Sequence, residues 1–334
     1  MVTGVGLSAP ATCAAFRAAL SHFVETRFMD RGGEWVIGSP VLLDPPWRGL
    51  KKLEVMATAA IRECLAASGD IKPDRIPLLL CVAEPERPGR LSGLDTLLDL
   101  VQAALGFRFQ PRSTLLQRGR VGGMEALDMA RKLIHEEGFP LCMVAGVDSF
   151  LVGPTLAAYE AKQRLLTSDN SNGFIPGEAG AAVLLGRPGA AGPEELRCLA
   201  IGFGREPATV ESEEPLRADG LAQSFRALHS DGGVTLDDAD YRYTGCNGEQ
   251  YGFKEDRLAI ARVVRKLKAR FDHLHPADCI GEVGAAVVPC MLGLALAAAR
   301  KGYAPGSGVL GHVGNDEGER ASMILRYAEG GVAR

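Results

Sequence analysis

At 334 residues the chain exceeds the usual single domain of about 100–200 residues, which fits two domains or one large duplicated unit. A 46% hydrophobic share with 23% charged residues excludes a disordered protein. With 37 basic against 41 acidic residues, a formal net charge of −4, there is no electrostatic footprint for a polyanion, so nucleic acid is not an expected partner.

The sequence opens with MVTGVGLSAP and places its first positive residue at Arg17, so no basic region precedes an apolar stretch and no secretory signal is read. Ser8 with Pro10 marks the start of a helix, and Leu50 to Ser68 reads as a second one closing on Gly69. Pro77 to Val82 is an apolar strand, followed by a Pro- and charge-rich loop from Glu84 to Ser92. Gly122 to Glu137 is an amphipathic helix closing on Gly138, and the runs Leu141 to Val147 and Ala181 to Leu185 are further strands. The segment Arg187 to Glu195 is the strongest break and sets a boundary between residues 1–190 and 191–334. The apolar stretch Val283 to Ala299 contains Pro289 and Gly293 and falls short of the roughly 20 residues that span a bilayer, so it is expected as a helix in the core and no membrane partner is expected.

The order of events recurs across that boundary. A helix ending in Arg131-Lys132 is followed by Gly138, a strand ending at Gly146, and Gly177-Glu178 leading into AGAAVLL; a helix ending in Arg300-Lys301 is followed by Gly302, a strand to Gly311, and Gly318-Glu319 leading into RASMIL. Alternating strands and helices in two copies predict an α/β duplication. Such a duplication brings equivalent helix amino termini, near Arg120 to Gly123 and Gly281 to Gly284, towards one centre. There, free N–H groups and the positive dipole end suit a thiolate or an oxyanion. The eight cysteines form no CxxC pair and have no paired His spacing of the zinc type, so reduced thiols, a cytoplasmic protein, no metal and no cofactor are expected. Of the six histidines, His273 and His275 are placed in a surface loop and His312 in a polar turn, with His22, His135 and His229 solvated.

Four blocks carry a family resemblance. NSNGFIPGEAGAAVLL (Asn170 to Leu185), VTGVGLSAP, the stretch Gly122 to Ser149 and GERASMIL resemble, in order and spacing, the β-ketoacyl synthase branch of the thiolase superfamily. The resemblance implies a thiolase-like five-layered αβαβα fold from two pseudo-symmetric halves. It also implies a homodimer or a heterodimer with a related subunit, and an acyl pocket served by acyl carrier protein or coenzyme A thioesters.

Carried over position by position, the resemblance places Arg120 where active members have the nucleophilic Cys, since their Cys-Ala-Ser-Gly aligns with Arg120-Val121-Gly122-Gly123. A guanidinium cannot accept an acyl group. The first His block aligns with Cys246-Asn247-Gly248-Glu249-Gln250 and places Cys246 at the first His. The Lys-Ser-x-x-Gly-His block aligns Ala277 with the Lys and Glu282 with the second His. The glycine-rich gate aligns with Asn315 to Arg320 and puts Asp316 where an aromatic stands. The catalytic positions are thus read as vestigial (Arg120, Cys246, Glu282), around a pocket of Gly122, Gly123, Asn247, Ala277 and Asp316. An Arg120–Glu282 ion pair is expected across it, and Glu249 is expected to raise the Cys246 thiol.

The function implied is a catalytically inactive ketosynthase-like accessory subunit, adaptor or chaperone. Its precedents are partner subunits of the chain-length-factor kind and the small ketosynthase-like proteins associated with type VI secretion effectors. The alternative is an acyltransferase or condensing enzyme using Cys246.

Overall fold

The computed structural model describes residues 1–190, 194–266 and 268–329, so part of the segment chosen as the boundary, residues 191–193, lies outside the described residues. The first part of the chain runs β1 (Val2–Thr3), α1 (Ala9–Arg17), β2 (Val24–Met29), β3 (Trp35–Gly38), α2 (Gly49–Leu65), β4 (Leu78–Val82), α3 (Leu97–Leu105), β5 (Thr114–Gln117), α4 (Gly122–His135), β6 (Leu141–Ser149), α5 (Gly153–Ala161) and β7 (Glu178–Gly186). The second runs β8 (Glu194–Arg205), α6 (Asp219–Gly232), β9 (Tyr241–Thr244), α7 (Gln250–Val263), β10 (His273–Leu274), α8 (Ala277–Ile280), α9 (Val287–Arg300), β11 (Gly308–Gly314) and β12 (Glu319–Glu329).

Two five-stranded sheets have the orders β1-β7-β6-β4-β5 and β8-β12-β11-β9-β10. Strand for strand these are the same topology. The pairs β1/β7 and β6/β7 are antiparallel, as are β8/β12 and β11/β12, while β4/β6, β4/β5, β9/β11 and β9/β10 are parallel. Helices α4 and α9 pack against each other and against strands of both sheets, forming the central layer; α2 and α3 cover the first sheet and α6 and α7 the second. The result is α, β, α, β, α.

The composition of α9 explains its place. Val287, Val288, Cys290, Met291, Leu292, Leu294, Ala295 and Ala298 are all buried, and a helix apolar around its whole circumference belongs in a core. The stretch expected as one helix from Val283 begins with a 3-10 turn at Gly284–Ala286 before α9 proper. Helix α4 is preceded by the matching turn Gly119–Val121. At the helix starts the Ser8 hydroxyl accepts from Ala11 N–H and caps α1, as the Ser-x-Pro pattern predicts. α2 ends at Leu65 rather than Ser68, because Ser68 Oγ donates to the Leu65 carbonyl and the chain turns through Gly69. The β2–β3 hairpin lies apart from both sheets. Among the described residues no helix is long and apolar enough to cross a membrane.

The two central helices touch through Gly123, where an added Cβ would lie 2.5 Å from Val288 Cβ. Gly123→Ala overpacks that crossing and is expected to lower stability by about 1–3 kcal/mol, read as a lower denaturant midpoint at unchanged slope.

Candidate functional site

The turns leading into α4 and α9 meet between the sheets, and Arg120, in the first turn, is 8% exposed. A buried guanidinium needs compensation. Its Nη2 donates to Asp316 Oδ1 at 2.6 Å, and its Nη1 lies 3.6 Å from Glu282 Oε2. Burial works against the charge of Arg120, but Glu282 and Asp316 outweigh it and hold the group above its ordinary range. The ion pair read from the sequence is therefore present, with Asp316 the nearer partner.

Asp316 is the hub. It sits in the turn between β11 and β12, and besides Arg120 it accepts from Arg164 Nη1 at 2.6 Å and from the Tyr159 hydroxyl at 3.1 Å. Burial alone would raise its pKa; the two guanidiniums overcome that and hold the carboxyl well below the usual carboxylate range. Arg164 grips Glu249 through both ends of its fork, Nε to Oε1 at 2.7 Å and Nη2 to Oε2 at 2.8 Å. Asn247 Nδ2 donates to Glu282 Oε2 at 2.8 Å and reaches Glu249 Oε2 at 3.2 Å, closing a ring of side chains drawn from both parts of the chain. A second buried group lies behind it. Arg87 donates to Asp148 and Glu84 and stacks over the Phe150 ring at 4.1 Å.

Side chains already engage both helix-initiating turns. Glu282 Oε1 accepts from Gly284 N–H at 2.8 Å and Asp148 Oδ2 from Ala285 N–H at 3.0 Å, while Asn315 Oδ1 accepts from Val121 N–H at 3.4 Å. Three N–H groups at these turns are thus engaged by the chain's own side chains.

The cavity bordered by Arg120, Arg164, Cys246, Asn247, Glu249 and Asp316 measures about 50 Å³. That holds a few waters and no acyl chain. Gly122, Gly123 and Ala277 do not line it: the first two pack in α4 against Cys81 and Val288, and Ala277 starts α8. Glu282 reaches the ring from behind the lining.

Cys246 is 6% exposed, and its thiol is pushed up to about 12, by burial first and by Asp256 and Glu255 in addition. Glu249, to which the sequence reading gave that effect, is taken by Arg164 instead. Two histidine expectations are also corrected. His312 is buried in β11 with Nε2 2.9 Å from Asp256 Oδ1. His273 belongs to β10, its Nε2 2.7 Å from Thr244 Oγ1, and burial lowers it to about 4. Both were missed as polar core because their common partner, Asp256, lies on α7, away from either in sequence. Arg164 and Tyr159 were missed for the same reason. Arg164 meets Asp316 across a separation of 152 residues, and no local signal in the sequence points to it.

Solved structures similar to this chain include ketosynthases. The ishigamide ketosynthase/chain length factor matches with a TM-score of 0.71 at 16% identity, over 98% of this chain and 97% of that one. A type II polyketide acyl-carrier protein complex with its hexaketide-bound ketosynthase, AntDE:AntF, matches at 0.78 and 13% identity, over 97% of each chain. A β-ketoacyl synthase from Burkholderia phymatum matches at 0.73 and 13% identity, over 97% of each chain. No family model and no curated protein matches the sequence.

Removing the Asp316 charge leaves two buried guanidiniums short of a partner, so Asp316→Asn is expected to cost about 3–5 kcal/mol at neutral pH. Because the folded carboxyl titrates below its unfolded value of about 3.9, its contribution is complete above that value and is lost as pH falls through the folded pKa. Urea unfolding of both proteins from pH 7 downwards is expected to show a constant gap to about pH 4 that narrows only below it. With equivalent strand orders in its two sheets, paired central helices and matches along nearly its whole length, the chain has the thiolase-like fold of the ketosynthases.

Proposed function

We propose that this chain is a non-catalytic ketosynthase-like subunit that works by association, pairing with a related subunit. The observation that carries the reading is Arg120: the residue aligned with the nucleophile is a guanidinium bound to Asp316 at 2.6 Å, beside a cavity of about 50 Å³. Neither a transferable acyl group nor a chain has a place there. The vestigial assignment extends to Cys246 and Glu282. The first carries a thiol that burial pushes up to about 12, which keeps it protonated near neutral pH. The second is committed to Arg120, Asn247 and the turn before α9.

Association is supported by the first sheet, which ends at β5 with no further strand among the described residues. Open edges of this kind add strands from a partner. A ketosynthase paired with a chain length factor, and a ketosynthase with an acyl-carrier protein, stand among the structural neighbours. The same fold also suits the narrower role of adaptor for a type VI secretion effector, with the effector as its client. Either role is placed in the cytoplasm.

The rival activity, acyl transfer through Cys246, is tested by intact-protein mass after incubation with a panel of acyl-coenzyme A and acyl-carrier thioesters, with Cys246→Ser in parallel. The expected result is no mass increase in either protein. An adduct that disappears in Cys246→Ser establishes an acyl-enzyme and rejects the non-catalytic reading.

A further inference from the structure

Helix α7 sorts its charges by side. Its two carboxylates are buried and engaged within the fold: Glu255 accepts from Arg320 Nε at 2.7 Å, and Asp256 has Oδ1 2.9 Å from His312 Nε2 and Oδ2 3.3 Å from Arg242 Nη2. Its cations are exposed. Lys254, Arg257 and Arg262 stand on the outer side of α7, and Arg265, Lys266 and Arg270 continue the row in the segment that follows. No carboxylate between residues 254 and 270 is exposed. Arg262 is held by Asp219 and Arg270 by Asp272, each at 2.7 Å, whereas Lys254, Arg257, Arg265 and Lys266 have no ion-pair partner among the described residues. At that end of the row Asp237 accepts the backbone N–H groups of Arg265 and Lys266. Helix α6, packed beside α7, adds the exposed Arg226. Elsewhere surface helices balance their cations in place, as Lys51 with Glu54 in α2 and Lys132 with Asp128 in α4.

Like charges along one face work against a helix, and here nothing inside the chain offsets them. We infer that the outer face of α7, with the segment after it, binds a short acidic segment of another protein. Three observations select that occupant. The row from Lys254 to Arg262 runs about 12 Å along the helix axis, which matches two to three turns of an acidic helix. The chain as a whole carries a net charge of −4, so the rest of its surface is acidic and repels a long polyanion such as a nucleic acid while tolerating a short one. Among the described residues no large exposed hydrophobic side chain lies on α6 or α7, which leaves the face nothing to insert into a bilayer. The surface belongs to the outer layer, on the far side of the second sheet from α4 and α9.

Fluorescence anisotropy on the full chain tests it, with a labelled helical peptide of about 15 residues carrying Glu at every third or fourth position and the same peptide with Gln in place of Glu. The Glu peptide is expected to bind, more weakly as salt rises, and the Gln peptide is not. Reversing Arg257→Glu, Arg265→Glu and Lys266→Glu together is expected to weaken binding about tenfold or more. The control reverses the exposed Lys72→Glu, Arg75→Glu and Arg108→Glu, which changes net charge equally and is expected to leave the affinity near wild type. Melting temperatures near wild type are expected for both, since the altered groups are exposed. Equal losses in the two triple variants, or a Gln peptide that binds as well as the Glu peptide, overturns the proposal. So does tighter binding to phosphatidylserine vesicles or to a short DNA duplex than to the Glu peptide. No second subunit enters the measurement, so its outcome is separate from that of the proposed subunit role.

Discussion

Two guanidiniums, Arg120 and Arg164, are buried where the two parts of the molecule meet, and neither is tolerable there without carboxylates. The arrangement of that centre follows from this requirement. Asp316 supplies one carboxylate to both, Glu249 closes the fork of Arg164, and Glu282 stands by Arg120 while also capping the turn before α9. Arg120 and Arg164 come from the first part of the chain and their carboxylates from the second, so the charges fasten the two together. Behind them Arg87 faces Glu84 and Asp148, and the carboxyl of Asp148, raised by burial and only partly offset by Arg87, accepts the Ala285 N–H. The acids outnumber the guanidiniums in this centre, and backbone N–H groups at the start of α9 meet part of the excess.

The duplicated topology delivers these residues. Equivalent sheets place the turns ahead of α4 and α9 side by side, and a geometry that can present N–H groups to a reacting thioester here presents them to Asn315, Glu282 and Asp148. On the non-catalytic reading proposed above, fold and chemistry have separated.

Much of the architecture was legible because its signals are local. The apolar circumference of α9, the Ser-x-Pro start of α1 and the repeated helix–Gly–strand order each depend on a few neighbouring residues. Arg120, Glu282 and Asp316 were legible through alignment with family blocks. Arg164, Tyr159 and Glu249 as ion-pair and hydrogen-bond partners were not, because nothing in YEAKQRLL or GCNGEQ marks a contact made across the fold. The same applies to His312 and His273, whose environment is set by Asp256 on a helix above the sheet. The β2–β3 hairpin escaped because its strands follow α1 closely and β2 alternates polar with apolar residues around a bulge.

The charge centre acts as one coupled unit rather than a set of independent pairs. A double-mutant cycle on Arg164→Met and Asp316→Leu, read by urea unfolding at pH 7, tests this directly. Each single change strands a buried charge and is expected to cost about 3–5 kcal/mol, while the apolar pair together costs far less than the sum. Additive losses, or single variants as stable as the wild type, would contradict it.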